Sequence, residues 1–101
     1  MAVVMNQDFA GVSRKDVEEL TNRMNVRESP PAGLMAHAVT DTAGGIHVVD
    51  IWESEADFQT FLEERLIPAA KAFAQERGID MEGFGQPMFT EAYDVFVGRQ
   101  A

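Results

Sequence analysis

The sequence predicts an α+β fold: a ferredoxin-like β-α-β-β-α-β chain whose four strands form one antiparallel sheet, with both helices on one face. Three observations lead there. Four short apolar runs are bounded by turn residues, two segments between them carry apolar residues at helical spacing behind a serine cap, and a glycine pair joins the middle two runs as a hairpin. At 101 residues the chain is expected to fold as a single domain spanning 1–101.

The first strand is expected over Ala2 to Phe9, where Val3, Val4 and Met5 precede Ala10-Gly11. Ser13 with Asp16 three residues later forms an N-cap arrangement, and Val17, Leu20 and Met24 recur at helical spacing, so a helix should run to about Val26. Arg27-Glu28-Ser29-Pro30-Pro31 cannot continue it, because each proline lacks an N–H and disfavours helix in the residue before it. Ala32 to Thr40 and Gly45 to Trp52 form the hairpin around Asp41-Thr42-Ala43-Gly44-Gly45. With a loop of Thr42-Ala43-Gly44 and a bulge at Gly44, Asp41 would pair Gly45. Ser54 caps a second helix carrying Phe58, Phe61, Leu62 and Leu66; Pro68 should kink or break it near Ile67, after which Ala69 to Arg77 continues and Gly78 ends it. Residues 78–87 read as a loop, and Met88 to Val97 as the last strand, with Phe89, Tyr93, Val95 and Val97 on one face.

If one sheet face were solvated, each strand would alternate apolar and polar. The hairpin is apolar on both parities, with Leu34, Ala36, Ala38 against Met35, Val39, and Ile46, Val48, Trp52 against Val49, Ile51. A second copy of the same sheet is the economical cover, so a homodimer is expected.

Seventeen acidic against eight basic side chains give a formal charge of −9, which opposes a sequence-independent grip on nucleic acid or anionic lipid. The absence of cysteine removes disulfides, thiolate nucleophiles and thiolate metal sites. No stretch approaches the roughly 20 apolar residues that span a bilayer, and MAVVMNQDFA lacks the pattern of a signal peptide, so a cytoplasmic protein with neither nucleic acid nor membrane as partner is expected. No glycine-rich phosphate loop, nucleophile elbow or HExxH motif is present.

The residues that carry chemistry are few. His37 and His47 are the only histidines, and the expected loop puts both on one face, within reach of one ligand. Asp50 has opposite parity to His47 and points away from it, so no metal site is assigned. His37 is the better general-base candidate, since a neutral imidazole accepts a proton near pH 7; the plainer reading is a half-buried strand residue satisfied by backbone or water, and for His47 simple exposure. Asp50 interrupts an apolar strand and needs a partner. It is either a polar group in the cavity between sheet and helices beside Trp52 and Asn6, or a structural group paired with Arg65 or a loop N–H. Trp52, Phe58, Phe61 and Leu62 should bury together as core. Tyr93 brings a phenol to the last strand, available to a ligand oxygen.

Asp50-Ile51-Trp52-Glu53-Ser54-Glu55-Ala56-Asp57-Phe58, continuing to Phe61-Leu62 and Arg65-Leu66, resembles the dimeric α+β barrel superfamily and within it the antibiotic biosynthesis monooxygenase-like domains. The resemblance implies a homodimer with a small aromatic or polyketide-like ligand in a largely apolar pocket, and a monooxygenase-like activity without a cofactor. A non-catalytic binding or assembly module, or a cyclase or isomerase on the same fold, is the alternative. Haem-degrading members resemble this chain at Trp52 and Ser54, but carry an aromatic, usually tryptophan, where Phe61 stands and an iron-ligating histidine where Lys71 stands. The cofactor-independent quinol oxygenases use an asparagine on the first strand, a tryptophan and a tyrosine near the phenol; Asn6 matches the first, and Trp52 and Tyr93 match by residue type. The candidate set is therefore His37 and Asp50 as catalytic groups, with Asn6, Trp52, Phe61 and Tyr93 as ligand-binding residues.

Overall fold

The computed structural model describes residues 1–78, 80–81 and 84–98. Along the chain lie β1 (Val3–Ala10), α1 (Arg14–Met24), β2 (Leu34–Thr42), β3 (Gly45–Trp52), α2 (Glu55–Phe61), α3 (Ile67–Arg77) and β4 (Met88–Glu91). The strands form one antiparallel sheet in the order β2-β3-β1-β4, which is the ferredoxin-like arrangement. β3 and β1 are central, and α1 carries the chain from β1 past β3 to the edge strand β2.

Local chemistry starts and stops these elements. Ser13 Oγ accepts from the Asp16 N–H at 3.2 Å while Asp16 Oδ2 accepts from the Ser13 N–H at 3.0 Å, a complete capping box at the start of α1. Asn25, in the left-handed region at φ 55°, closes the helix. Ser54 Oγ accepts from the Asp57 N–H at 3.1 Å and starts α2. The expected kink before Pro68 takes a specific form: α2 passes without a break through a π-helical turn, Leu62–Leu66, into α3. Pro68 can neither donate to residue 64 nor fit its ring against that carbonyl, and the wider turn absorbs both demands. Gly78, at φ 67°, ends α3 as predicted.

The hairpin is tighter than the sequence reading expected. Thr42 pairs Gly45 across a two-residue loop of Ala43 and Gly44, so Asp41 faces Ile46 rather than Gly45. Two constraints select it. Gly44 sits at φ 117°, and a Cβ on Gly45 would lie 2.2 Å from the Phe9 carbonyl oxygen where β1 crosses close by. The one-residue change in register moves every β2 side chain between the loop and the bulge at Leu34/Ala36 to the opposite partner set.

The expected last strand also changes. It ends at Glu91 rather than Val97, because Glu91 pairs Val3, the first residue of β1, and one further bond, from the Ala92 N–H to the Ala2 carbonyl at 2.9 Å, reaches the start of the chain's pairing. Tyr93 and Phe96 are exposed.

The helices cover one sheet face. Met5, Ile46, Val48 and Trp52 point inward and join Val12 and Phe58 in the core. Trp52 meets Phe58 edge-on at a centroid distance of 5.6 Å, and Phe58 meets Phe89 edge-on at 5.3 Å. Burying a side chain of this size contributes about 1.5–3 kcal/mol, and the ring geometry adds about 0.5–1.5 kcal/mol per pair. The other face carries Val4, Val49 and Ile51, half-buried, with Ala36 and Ala38 exposed beside them.

Candidate functional site

Between the sheet and the helices lies a cavity of about 760 Å³. Its walls are mostly apolar, from Met5, Phe9, Ile46 and Val48 on the sheet to Leu20, Met24, Phe61, Leu66 and Phe73 on the helices. Among the described residues only three that line it are exposed, Arg27, Pro30 and His37. The cavity therefore opens between the α1–β2 linker and the edge strand β2.

A polar chain crosses this apolar wall. The observed register places His37 directly opposite Asp50, and the period of two places Trp52 on the same face two residues further along β3. Asp50 is only 4 % exposed and has both carboxylate oxygens satisfied. Oδ1 accepts from His37 Nδ1 at 2.6 Å and Oδ2 accepts from Trp52 Nε1 at 3.1 Å. An ionised carboxylate only accepts, so the contact fixes the ring proton on Nδ1 and leaves His37 Nε2 as the free basic nitrogen of the neutral ring. Nε2 has no protein partner among the described residues. The arrangement can orient an imidazole at the mouth of an apolar cavity and stabilise it after it takes up a proton.

Gln7 adds a further polar group on the sheet side of the wall. It is buried, its Nε2 donates to the Gly85 carbonyl at 3.0 Å, and its Oε1 has no partner among the described residues. Sequence reasoning passed over Gln7 although the signal was present: like Asp50, it is a polar residue with inward parity, two positions from the core residue Met5.

The predicted residues divide between the two faces. His37, Asp50, Trp52 and Phe61 line the cavity, with the Phe61 ring 5.4 Å from that of Trp52. The two histidines, expected together, lie on opposite faces because the shorter loop reverses the parity of β2. His47 joins a separate cluster on the outer face, where Asp8 Oδ1 lies 2.7 Å from Nδ1 and Asn6 Oδ1 lies 3.0 Å from Nε2. Asn6 is thus away from Asp50 and Trp52, since it alternates with Met5 and Gln7 along β1. Tyr93 follows the end of β4 and is 95 % exposed, away from the cavity. Arg65, one of the structural partners considered for Asp50, instead donates to the carbonyls of Met24 and Ser29 and ties the π-helical turn to the α1–β2 linker. Lys71 is exposed on α3 and does not line the cavity.

Among the described residues no helix is long and apolar enough to cross a membrane. No protein-family model matches the chain, and no curated protein matches it in sequence. Solved structures do match. Rv0793 from Mycobacterium tuberculosis superposes with a TM-score of 0.64 at 12% identity, over 94% of this chain and 98% of that one. A variant of SnoaB, a cofactor-independent oxygenase from Streptomyces nogalater, gives 0.59 at 13% identity over 93% and 94%. A Chloroflexus aurantiacus protein described as a candidate antibiotic biosynthesis monooxygenase gives 0.56 at 12% identity over 100% and 98%. At these identities the likeness establishes architecture, and it extends over nearly the whole of each chain. The chain has the ferredoxin-like α+β fold that these structures share.

Proposed function

We propose that the protein is a monooxygenase-like enzyme that needs no cofactor, acting on a small aromatic or polyketide-like molecule held in the cavity between sheet and helices, and that it works as a homodimer. The observation that carries this reading is the Trp52–Asp50–His37 chain on the wall of an otherwise apolar cavity. An apolar enclosure with a few convergent polar groups is the general form of a small-molecule site, and the structural likeness to a cofactor-independent oxygenase supports the choice of chemistry.

His37 Nε2 removes a proton from an acidic C–H of the substrate, and Asp50 stabilises the imidazolium that forms. The carbanion is electron-rich and gives two electrons to dioxygen, forming a C–O bond. The resulting peroxide takes its proton back from His37, then loses water to leave a carbonyl. The sum is one CH₂ and one O₂ converted to one C=O and one H₂O. Trp52 and Phe61 supply the aromatic surface for the substrate ring.

Oxygen uptake with anthrone, whose CH₂ is acidified by the ring ketone, tests the reading. His37→Ala is expected to lower the rate about 10²–10⁴-fold, the usual range for a positioned acid–base group, with Asp50→Asn falling between it and the wild type. Full turnover by both variants would refute the assignment. A cyclase or isomerase using the same pair would instead convert substrate without consuming oxygen.

A further inference from the structure

Arg27 stands apart from the other described arginines. Arg14 is held by Asp41, Arg23 by Glu76, Arg77 by Glu19, and Arg65 by backbone carbonyls. Arg27 makes no such bond among the described residues, and it sits at the opening of the cavity. Among the described residues, it and His37 are the only basic side chains on the cavity wall, while the one acidic group there, Asp50, is taken up by His37 and Trp52.

In a chain of formal charge −9, an arginine without a partner at the mouth of an apolar cavity is a specific local reversal of sign. A guanidinium presents a planar fork of donors that matches a carboxylate in two parallel hydrogen bonds. We propose that Arg27 is a specificity-determining residue that binds a carboxylate on the ligand, so that the cavity selects an amphiphilic acid with its aromatic body inside and its anionic end at the mouth. This rests on the ligand-pocket reading above and adds a charge requirement to it. The arrangement explains why the cation is at the rim: a buried guanidinium would lose its hydration, whereas at the mouth the ligand's carboxylate meets it while both remain partly solvated.

Binding of 2-naphthoate and its uncharged isostere 2-naphthamide to the intact protein, followed by quenching of Trp52 fluorescence, separates the possibilities. Trp52 is the only tryptophan and lines the cavity. The wild type should bind the carboxylate at least about tenfold more tightly than the amide, against the protein's overall charge, and the preference should weaken with added salt. Arg27→Gln should reduce the ratio to about one and leave amide binding unchanged, while Lys71→Gln, which removes the same charge from an exposed position off the cavity wall, should keep the ratio. Arg27 is exposed, so its replacement leaves the core intact. Equal binding of the two naphthalenes, or a carboxylate preference that survives Arg27→Gln, would overturn the inference while leaving the pocket reading in place. Failure of both to bind would remove the pocket reading and the inference with it.

Discussion

Asp50 holds together two groups of unequal burial, and that inequality sets the consequences of removing it. Trp52 is 1 % exposed, and its indole N–H has the Asp50 carboxylate as its partner. His37 sits on an edge strand with nearly half of its side chain in solvent. Asp50→Ala strands the buried indole N–H and should cost about 1–3 kcal/mol of folding stability. His37→Ala exposes one carboxylate oxygen to a position water can reach, and should cost less. Urea unfolding of the two variants checks the order; equal costs would mean that the Asp50–Trp52 bond adds little. The sequence marked Asp50 as a polar residue needing a partner, because a carboxylate within Ile46–Trp52 has no cheap alternative. It left the partner open. The choice of His37 over Arg65 depends on the hairpin register, which one residue in the loop decides.

At the scale of elements, the caps and stops were legible because they depend on neighbours in the chain. Ser13, Asp16, Ser54 and Gly78 act where the sequence placed them. One tie between elements has a pH dependence that can be measured. Arg14, at the start of α1, grips Asp41 near the end of β2, and the hydrogen bond holds the Asp41 carboxyl below its ordinary value. A depressed carboxyl stabilises the fold above the unfolded pKa and loses that contribution as pH falls through the lower folded value. Arg14→Gln should therefore lower the urea midpoint slightly at neutral pH, and the difference from wild type should vanish in acid below the folded pKa and in high salt, since both partners are exposed. A difference that persists in acid would show that the arginine acts through packing. The π-helical turn was less legible: Pro68 announced a disturbance, but whether a helix breaks, bends or widens is settled by what it packs against.

For the whole molecule, the covered and uncovered sheet faces make opposite demands. The inner face buries Trp52, Phe58 and Met5. The outer face leaves Val4, Val49 and Ile51 half-buried around the Asn6–His47–Asp8 cluster. A second copy on that face is the proposed arrangement, and Val49→Lys tests it, because Val49 pairs Asn6 on one side and Ala38 on the other, near the middle of the face. Sedimentation equilibrium should show a dimer for the wild type and a folded monomer for the variant, whose lysine has nowhere to bury its charge. A wild type that is monomeric, or a variant that remains dimeric, would move the interface elsewhere.

The sequence by itself determined the element types and their order, the apolar character of both faces of the hairpin, the caps, and the presence on strands of the residues from which a site can be made. These properties follow from periodicity and from chemistry within a few residues, where the chain reads its own neighbours. Only the tertiary structure decided which residues meet. A side-chain period of two turns one loop residue into a change of face, so His37 joined Asp50 instead of His47; the position where β1 begins decided where β4 stops; and the cavity mouth, with Arg27 beside it, exists only once the linker lies against the edge strand.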